Sequence, residues 1–207
     1  MDDARRVRDF WFGKLPLDRE ALDERMTVWF AGEESAPLAQ QQDAAIRSEF
    51  GARVEAALRG ELASWADGPR RRLSLIILLD QFPRNIYRGR ARAYAGDEQA
   101  LALALSGMQS GADAALDPVE RIFFYMPLQH SESVDVQEEA VVAYRRLLGE
   151  APQALHGPFE ATLKYAELHA SVIRRFGRFP HRNRVLRRVP TTEEADYLRT
   201  AESFGQA

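Results

Sequence analysis

No cysteine occurs in the 207 residues. Disulfides, thiolate metal sites and thiol nucleophiles are therefore excluded, and the composition suits a reducing compartment. No stretch approaches the ~20 apolar residues of a membrane-spanning helix. The first residues, MDDARRVRDF, lack the apolar core of a secretory signal. The expectation is a soluble, cytoplasmic protein with no membrane contact. Lysine is nearly missing: Lys14 and Lys164 are the only two, so nearly every cation is arginine. No GxxxxGK[ST], GxGxxG or GxSxG occurs, which leaves phosphate loops and nucleophile elbows without support. The net charge of −3 argues against nucleic acid as the main partner.

Strand-like alternation is also scarce. What is present is helical periodicity along almost the whole chain, with Gly and Pro at the positions of helix ends. Val7, Phe10 and Trp11 mark a first helix, stopped by Gly13 and Pro16. Val28, Trp29 and Phe30 close a second before Gly32. Ser35 to Phe50 reads as a third, and Val54, Ala57, Leu58, Leu62 and Trp65 as another. Pro69 opens a helix in which Leu73, Ile76, Ile77 and Asp80 share one face, and Pro83 is expected to end it. Gly96-Asp97 starts the next. Asp117-Pro118-Val119-Glu120 is a capping-box start, with the helix expected to run to Pro127. Helices are expected over 135–148 and 158–176, and a last one from Thr192 through Tyr197, Leu198 and Phe204. Short connections between some eight helices indicate an all-α protein of antiparallel helical hairpins, in one domain spanning 1–207.

Polar residues break this pattern at four places. Asp80 follows the apolar run Leu75–Leu79 and faces inward on the helical reading. An unpaired carboxylate there would cost several kcal/mol, so it must find donors, take up a proton or hold a cation. A structural ion pair with an arginine, or a cap on a neighbouring helix, would also explain it. QFPRN (81–85) is echoed by RFPHRN (178–183), each setting Arg and Asn just beyond a Phe-Pro: Arg84 and Asn85 in the first, Arg182 and Asn183 in the second, which also carries Arg178 before the Phe-Pro and His181 after it. Both stretches read as turns after an apolar helix. His130 and Glu132 follow Pro127, and could bind a metal or form an acid/base pair; alternatively Ser131 or Ser133 simply caps the next helix. His169 lies at the edge of an apolar stripe, where a satisfied core histidine is the plainer reading. Residues 174–188 hold seven arginines and no acid, suited to carboxylate or phosphate, or to pairing with acidic helices elsewhere. The four histidines show no HxxxH or HxxEH spacing, so no metal and no cofactor is expected.

LDQFPRNIYRG, ERIFFYMPLQHSE and RFGRFPHRN, in that order, with FWFG and Trp29-Phe30 before them, resemble a bacterial family classed as domain of unknown function 924. The resemblance covers nearly the whole chain. It implies a fold similar to tetratricopeptide-repeat proteins, with helical hairpins stacked in a right-handed array, and it implies no established activity. Its motifs fall on Asp80, Gln81, Arg84, Asn85, Arg121, His130, Glu132, Arg178, His181, Arg182 and Asn183. Gln129 stands where the family pattern commonly has an acid. The expected function is a binding scaffold whose three motifs meet in a cationic pocket on the concave face, with Asp80 orienting Arg84, Arg178 or Arg182. Its ligand would be a small anion or an acidic peptide segment. The alternative is an enzyme using His130 or His181 as general acid/base with an arginine clamp.

Overall fold

Local capping chemistry starts many of the helices. The computed structural model describes residues 2–30 and 36–199. Asp2 caps α1 (Asp3–Phe12) and Asp18 caps α2 (Arg19–Trp29) through side-chain carboxylates. Next come α3 (Ala36–Leu58) and α4 (Pro69–Ile76), then a π-helical turn (Ile77–Gln81) running into α5 (Phe82–Ile86). Beyond it lie α6 (Asp97–Gln109), α7 (Pro118–Gln129), α8 (Val134–Glu150), α9 (His156–Phe176) and α10 (Thr192–Tyr197). Both halves of the Asp117–Glu120 capping box form, and a second box joins Thr191 to Glu194. Among the described residues there is no strand, and the protein is all-α.

Three expectations about helix limits are corrected. Residues 36–58 form one helix, not two, because the buried stripe Ile46, Phe50, Val54 and Ala57 continues past Gly51. A mid-helix glycine costs only about 1 kcal/mol, which that burial outweighs; Trp65 belongs to a separate 3-10 turn over Ala63–Ala66. Pro83 does not end its helix. Proline has no N–H for the Leu79 carbonyl four residues back, and the chain accommodates this by widening into the π turn, where Phe82 N–H bonds Ile77 O. Pro127 likewise sits inside α7, which continues to Gln129. The QFPRN stretch is therefore helical, and only RFPHRN is a turn, with a 3-10 segment at Pro180–Arg182. Gly32, Ser35 and Phe204 lie outside the described residues.

Helix α6 packs on α7, α7 on α8, and α8 on α9. Connections of a few residues between packed neighbours require them to run antiparallel, an arrangement compatible with stacked hairpins. Helix α1 lies on α4, α3 on α5, and α2 touches both α3 and α9. The N-terminal aromatic motifs are core. Trp11 stands edge-on to Phe82 and Phe123 at 5.6 and 5.4 Å between centroids, and Trp29 meets Phe123 at 4.6 Å. This aromatic cluster ties the segment carrying Asp80 to the helix that ends at His130. A small separate cluster of Val172, Ile173 and Phe179, packed by Phe176 and Tyr197, holds the following segment to the end of α9.

Gly96 shows how closely the π turn is packed. A Cβ at this position would lie 2.2 Å from the Leu79 carbonyl oxygen, the same carbonyl that Pro83 leaves without an α-helical donor. Backbone would have to move. Gly96→Ala is expected to destabilise the protein by roughly 1–3 kcal/mol, the usual cost of overpacking, read as a lower urea midpoint at unchanged slope; an unaltered midpoint would show that the π turn yields freely.

Candidate functional site

The three polar motifs converge beside the π turn. Asp80 is 0% exposed. Its Oδ1 lies 2.7 Å from His130 Nδ1 and 3.2 Å from an Arg84 nitrogen, and its Oδ2 accepts from Gln81 Nε2 at 2.5 Å. Arg84, 8% exposed, donates to the Asp80 carbonyl at 2.8 Å and reaches both oxygens of Asp97 at 2.8 and 3.0 Å. Asp97 is the first residue of α6, where the helix dipole favours a carboxylate. From the far end of the chain, Arg182 approaches the same Asp97 at 3.4 Å. Its guanidinium lies between two aromatic faces, 4.7 Å from the Tyr94 centroid and 4.4 Å from that of Phe179.

Imidazoles complete the cluster. The His169 ring centre is 6.3 Å from that of His130 and 5.5 Å from Phe179, which also meets His181 at 5.4 Å. A carbonyl only accepts, so the 2.7 Å contact of His169 Nδ1 with Tyr165 O places the ring proton on Nδ1 and leaves Nε2 as an acceptor. The same reasoning applies to His130, whose Nδ1 faces the ionised Asp80. Glu132 turns from His130 to the C-terminal segment. It accepts from Phe179 N at 2.8 Å and grips Arg188 at 2.6 and 3.0 Å. Arg188 in turn donates to Asn183 Oδ1 and Phe179 O, which fixes the turn carrying His181 and Arg182.

Charge states follow from burial and neighbours. Burial pushes the Asp80 carboxyl up, but the Arg84 charge and the bonds from His130 and Gln81 outweigh it and hold the group well below the carboxylate range. Burial and then Arg84 lower the His130 pKa, against the pull of Asp80, so the ring is neutral near pH 7. Burial and the neighbouring cations and imidazoles push His169 and His181 each down to about 3, only partly opposed at His169 by its bond to Tyr165 O. Burial and the nearby Arg84 also lower Arg182.

Some sequence candidates point elsewhere. Arg178 is not a partner of Asp80: it is bound bidentately by Glu194 and serves the entry to α10. Asn85 bonds Asp43 of α3 at 2.8 Å. His130 and Glu132 do not form a pair, since each has its own partner across the fold. Arg121 belongs to a second buried network, with Tyr125 and Glu150. Gln129 is buried. Several arginines of 174–188 pair with acids, Arg174 with Glu138 and Arg175 with Glu193 among them. Sequence reasoning missed Tyr94, Asp97 and Phe179; the helix-start signal at Gly96-Asp97 identified a cap but not the two arginines it meets. Two grooves of about 580 and 390 Å³ lie against α1 and share no residue with this cluster. Among the described residues no three His, Asp or Glu side chains are grouped to hold a metal ion, and no helix is long and apolar enough to cross a membrane.

Fold and cluster together describe an all-α protein with a buried Asp–His–Arg centre. Residues 7–202 match the model of a family described as bacterial protein of unknown function (DUF924), and the chain belongs to that family. It is also similar to a solved structure of a protein of unknown function from Agrobacterium tumefaciens. The two share 34% identity over 96% of this chain and 97% of that one, with a TM-score of 0.75. No curated protein matches the sequence.

Proposed function

We propose that the cluster binds a small anionic ligand, or the acidic end of a peptide, at Arg182. The observation that carries this reading is the state of that guanidinium. Arg182 is 6% exposed, its closest carboxylate contact is the 3.4 Å approach to Asp97, and its buried Nε donates to nothing among the described residues. Guanidinium presents five N–H donors, and a buried charge left short of acceptors is costly. A carboxylate or phosphate oxygen supplies what is missing. Tyr94 and Phe179 both lie against the guanidinium and offer it no acceptor oxygen of a carboxylate or phosphate kind.

A second reading is favoured by the 2.7 Å contact between Asp80 and His130. Asp80, itself pinned by Arg84 and Gln81, orients a neutral imidazole whose Nε2 is available as a base, with Arg182 as the substrate clamp. Of the two histidines singled out in the sequence, His130 is the one whose ring a buried carboxylate fixes.

Arg182→Gln tests the binding reading, because Asp97 keeps its bidentate partner Arg84 and the fold has reason to survive. At a hundredfold excess over Kd an anion should stabilise the parent by about 2.7 kcal/mol, or roughly 5–10 °C in Tm for a chain of this size. The variant should show no such rise across a panel of small carboxylates and phosphates. Equal stabilisation of parent and variant would place any anion site elsewhere. Turnover of a metabolite that survives Arg182→Gln but is lost in His130→Gln would favour the second reading.

A further inference from the structure

We propose that the site takes up its anion together with one proton, carried by the imidazole of His181, so that the ligand class is a small monocarboxylic acid. This rests on the reading of Arg182 as the anion anchor and concerns what must accompany the anion.

The argument starts from the charges that face the cluster from each element. The π turn and α5 contribute Asp80 and Arg84. The segment into α6 contributes Tyr94 and Asp97, and the α7–α8 connection contributes His130 and Glu132. Helix α9 adds His169, and the final segment adds His181, Arg182 and Arg188. Three guanidiniums, Arg84, Arg182 and Arg188, thus meet three carboxylates, Asp80, Asp97 and Glu132, and each is within 3.4 Å of an opposite charge. With the imidazoles neutral, the cluster carries no net charge.

An arriving anion changes that balance in a place where water cannot offset it. Asp80, Arg84 and Arg182 are all nearly inaccessible. One uncompensated negative charge is strongly unfavourable in such surroundings. A proton on an imidazole already in place removes the excess. A monocarboxylate needs one such proton, whereas a phosphate dianion needs two.

His181 is the imidazole that the anion affects most directly. It precedes Arg182 in the chain, and its ring and the Arg182 guanidinium both lie against Phe179, at 5.4 and 4.4 Å. After burial, the Arg182 charge is the largest influence keeping this ring neutral. An anion bonded to Arg182 cancels that influence and adds an attraction of its own. Asp80 holds the His130 ring, and Tyr165 O holds the Nδ1 proton of His169.

The test uses the full chain with sodium acetate as the probe and sodium chloride at equal ionic strength as the control. The imidazole Cε1–H resonances are followed by NMR between pH 5.5 and 7.5, alongside acetate affinity. The expected result is a His181 ring that titrates within this window in acetate but stays neutral across it in chloride, with affinity rising up to about tenfold per unit fall in pH below the raised pKa. Acetate binding that is equally tight at pH 5.5 and 7.5, with no imidazole responding, would overturn proton uptake and leave the Arg182 anchor standing. A proton appearing on His130 or His169 instead would overturn the assignment to His181. No acetate effect at any pH would overturn the proposal and count against the anion reading as well. The parent alone decides each outcome, so the result does not depend on whether His181→Gln folds.

Discussion

Asp80→Ala should lower the stability of this protein by about 3 kcal/mol, toward the lower end of the roughly 3–5 kcal/mol that breaking a buried ion pair costs. Asp80 is fully buried and engages three side chains: His130, Gln81 and Arg84. Alanine leaves the His130 Nδ1–H and a Gln81 N–H without an acceptor, and removes one of the two carboxylates beside Arg84. The loss stays near the lower figure because Asp97 still holds both guanidinium arms. Asp80→Asn keeps the shape and one acceptor oxygen while deleting the charge, and should be the milder change. Against a total stability of about 5–15 kcal/mol, both shifts are large enough to read from a urea midpoint. A parent-like midpoint for Asp80→Ala would sink the buried-pair account and mark this carboxylate as one kept for binding or catalysis.

Acid should weaken the fold before the lowered carboxyls of Asp80 and Glu132 protonate. His169 is 8% exposed and pushed down to about 3 by burial and its cationic and imidazole neighbours, and His181 is pushed down to a similar value. In the unfolded chain both titrate near 6.5. Between about pH 6.5 and 3 the unfolded state therefore binds more protons than the folded one, and stability falls as pH falls. The slope approaches roughly 1.4 kcal/mol per pH unit for each fully buried imidazole, less for the more exposed His181. Asp80 and Glu132, whose pKa values are lowered, add a loss in the same direction at lower pH. The window from 6.5 to 5 lies above the lowered carboxyls of Asp80 and Glu132, so the histidines lead over those two groups there. Urea midpoints should decline across that window in the parent and decline less in His169→Gln, whose side chain does not titrate. A flat parent profile from pH 7 to 5 would mean that these rings are not held neutral. An anion that brings a proton to the cluster should reduce the acid loss, which links this measurement to the acetate titration.

The legible parts of this protein are those that depend on residues close together in the chain. Pro69 and Gly96 marked helix starts through local backbone preference, and the Asp117–Glu120 box because its cap is made by side chains two or three positions from the backbone groups they satisfy. The inward direction of Asp80 followed from its spacing after Leu73, Ile76 and Ile77. Proline misled twice. At Pro83 and Pro127 the local penalty is real, but packing on both sides holds the helix together across it. At Pro83 a π turn absorbs the missing bond, and Gly96 closes over the Leu79 carbonyl. The helix expected to close at Phe50 runs on through Gly51, since one glycine does not interrupt a stripe as well buried as that of α3.

The chemistry of the cluster is a different matter. Arg178 and Arg182 stand four positions apart in one motif with the same side chain, yet one is bound by Glu194 and the other lies buried between Tyr94 and Phe179. Nothing local separates them. Arg182 meets Asp97 across 85 positions, and Arg188 meets Glu132 across 56. The amino-acid sequence by itself determined that the chain is helical, where most helices begin, that Asp80 faces inward, and that polar groups crowd three motifs. Only the tertiary structure decided which of those groups meet and which arginine is left short of acceptors. Helix starts and faces are set by neighbours within a turn or two. The partner of a buried charge is set by which helices the core brings side by side, here by the aromatic cluster around Phe82 and Phe123.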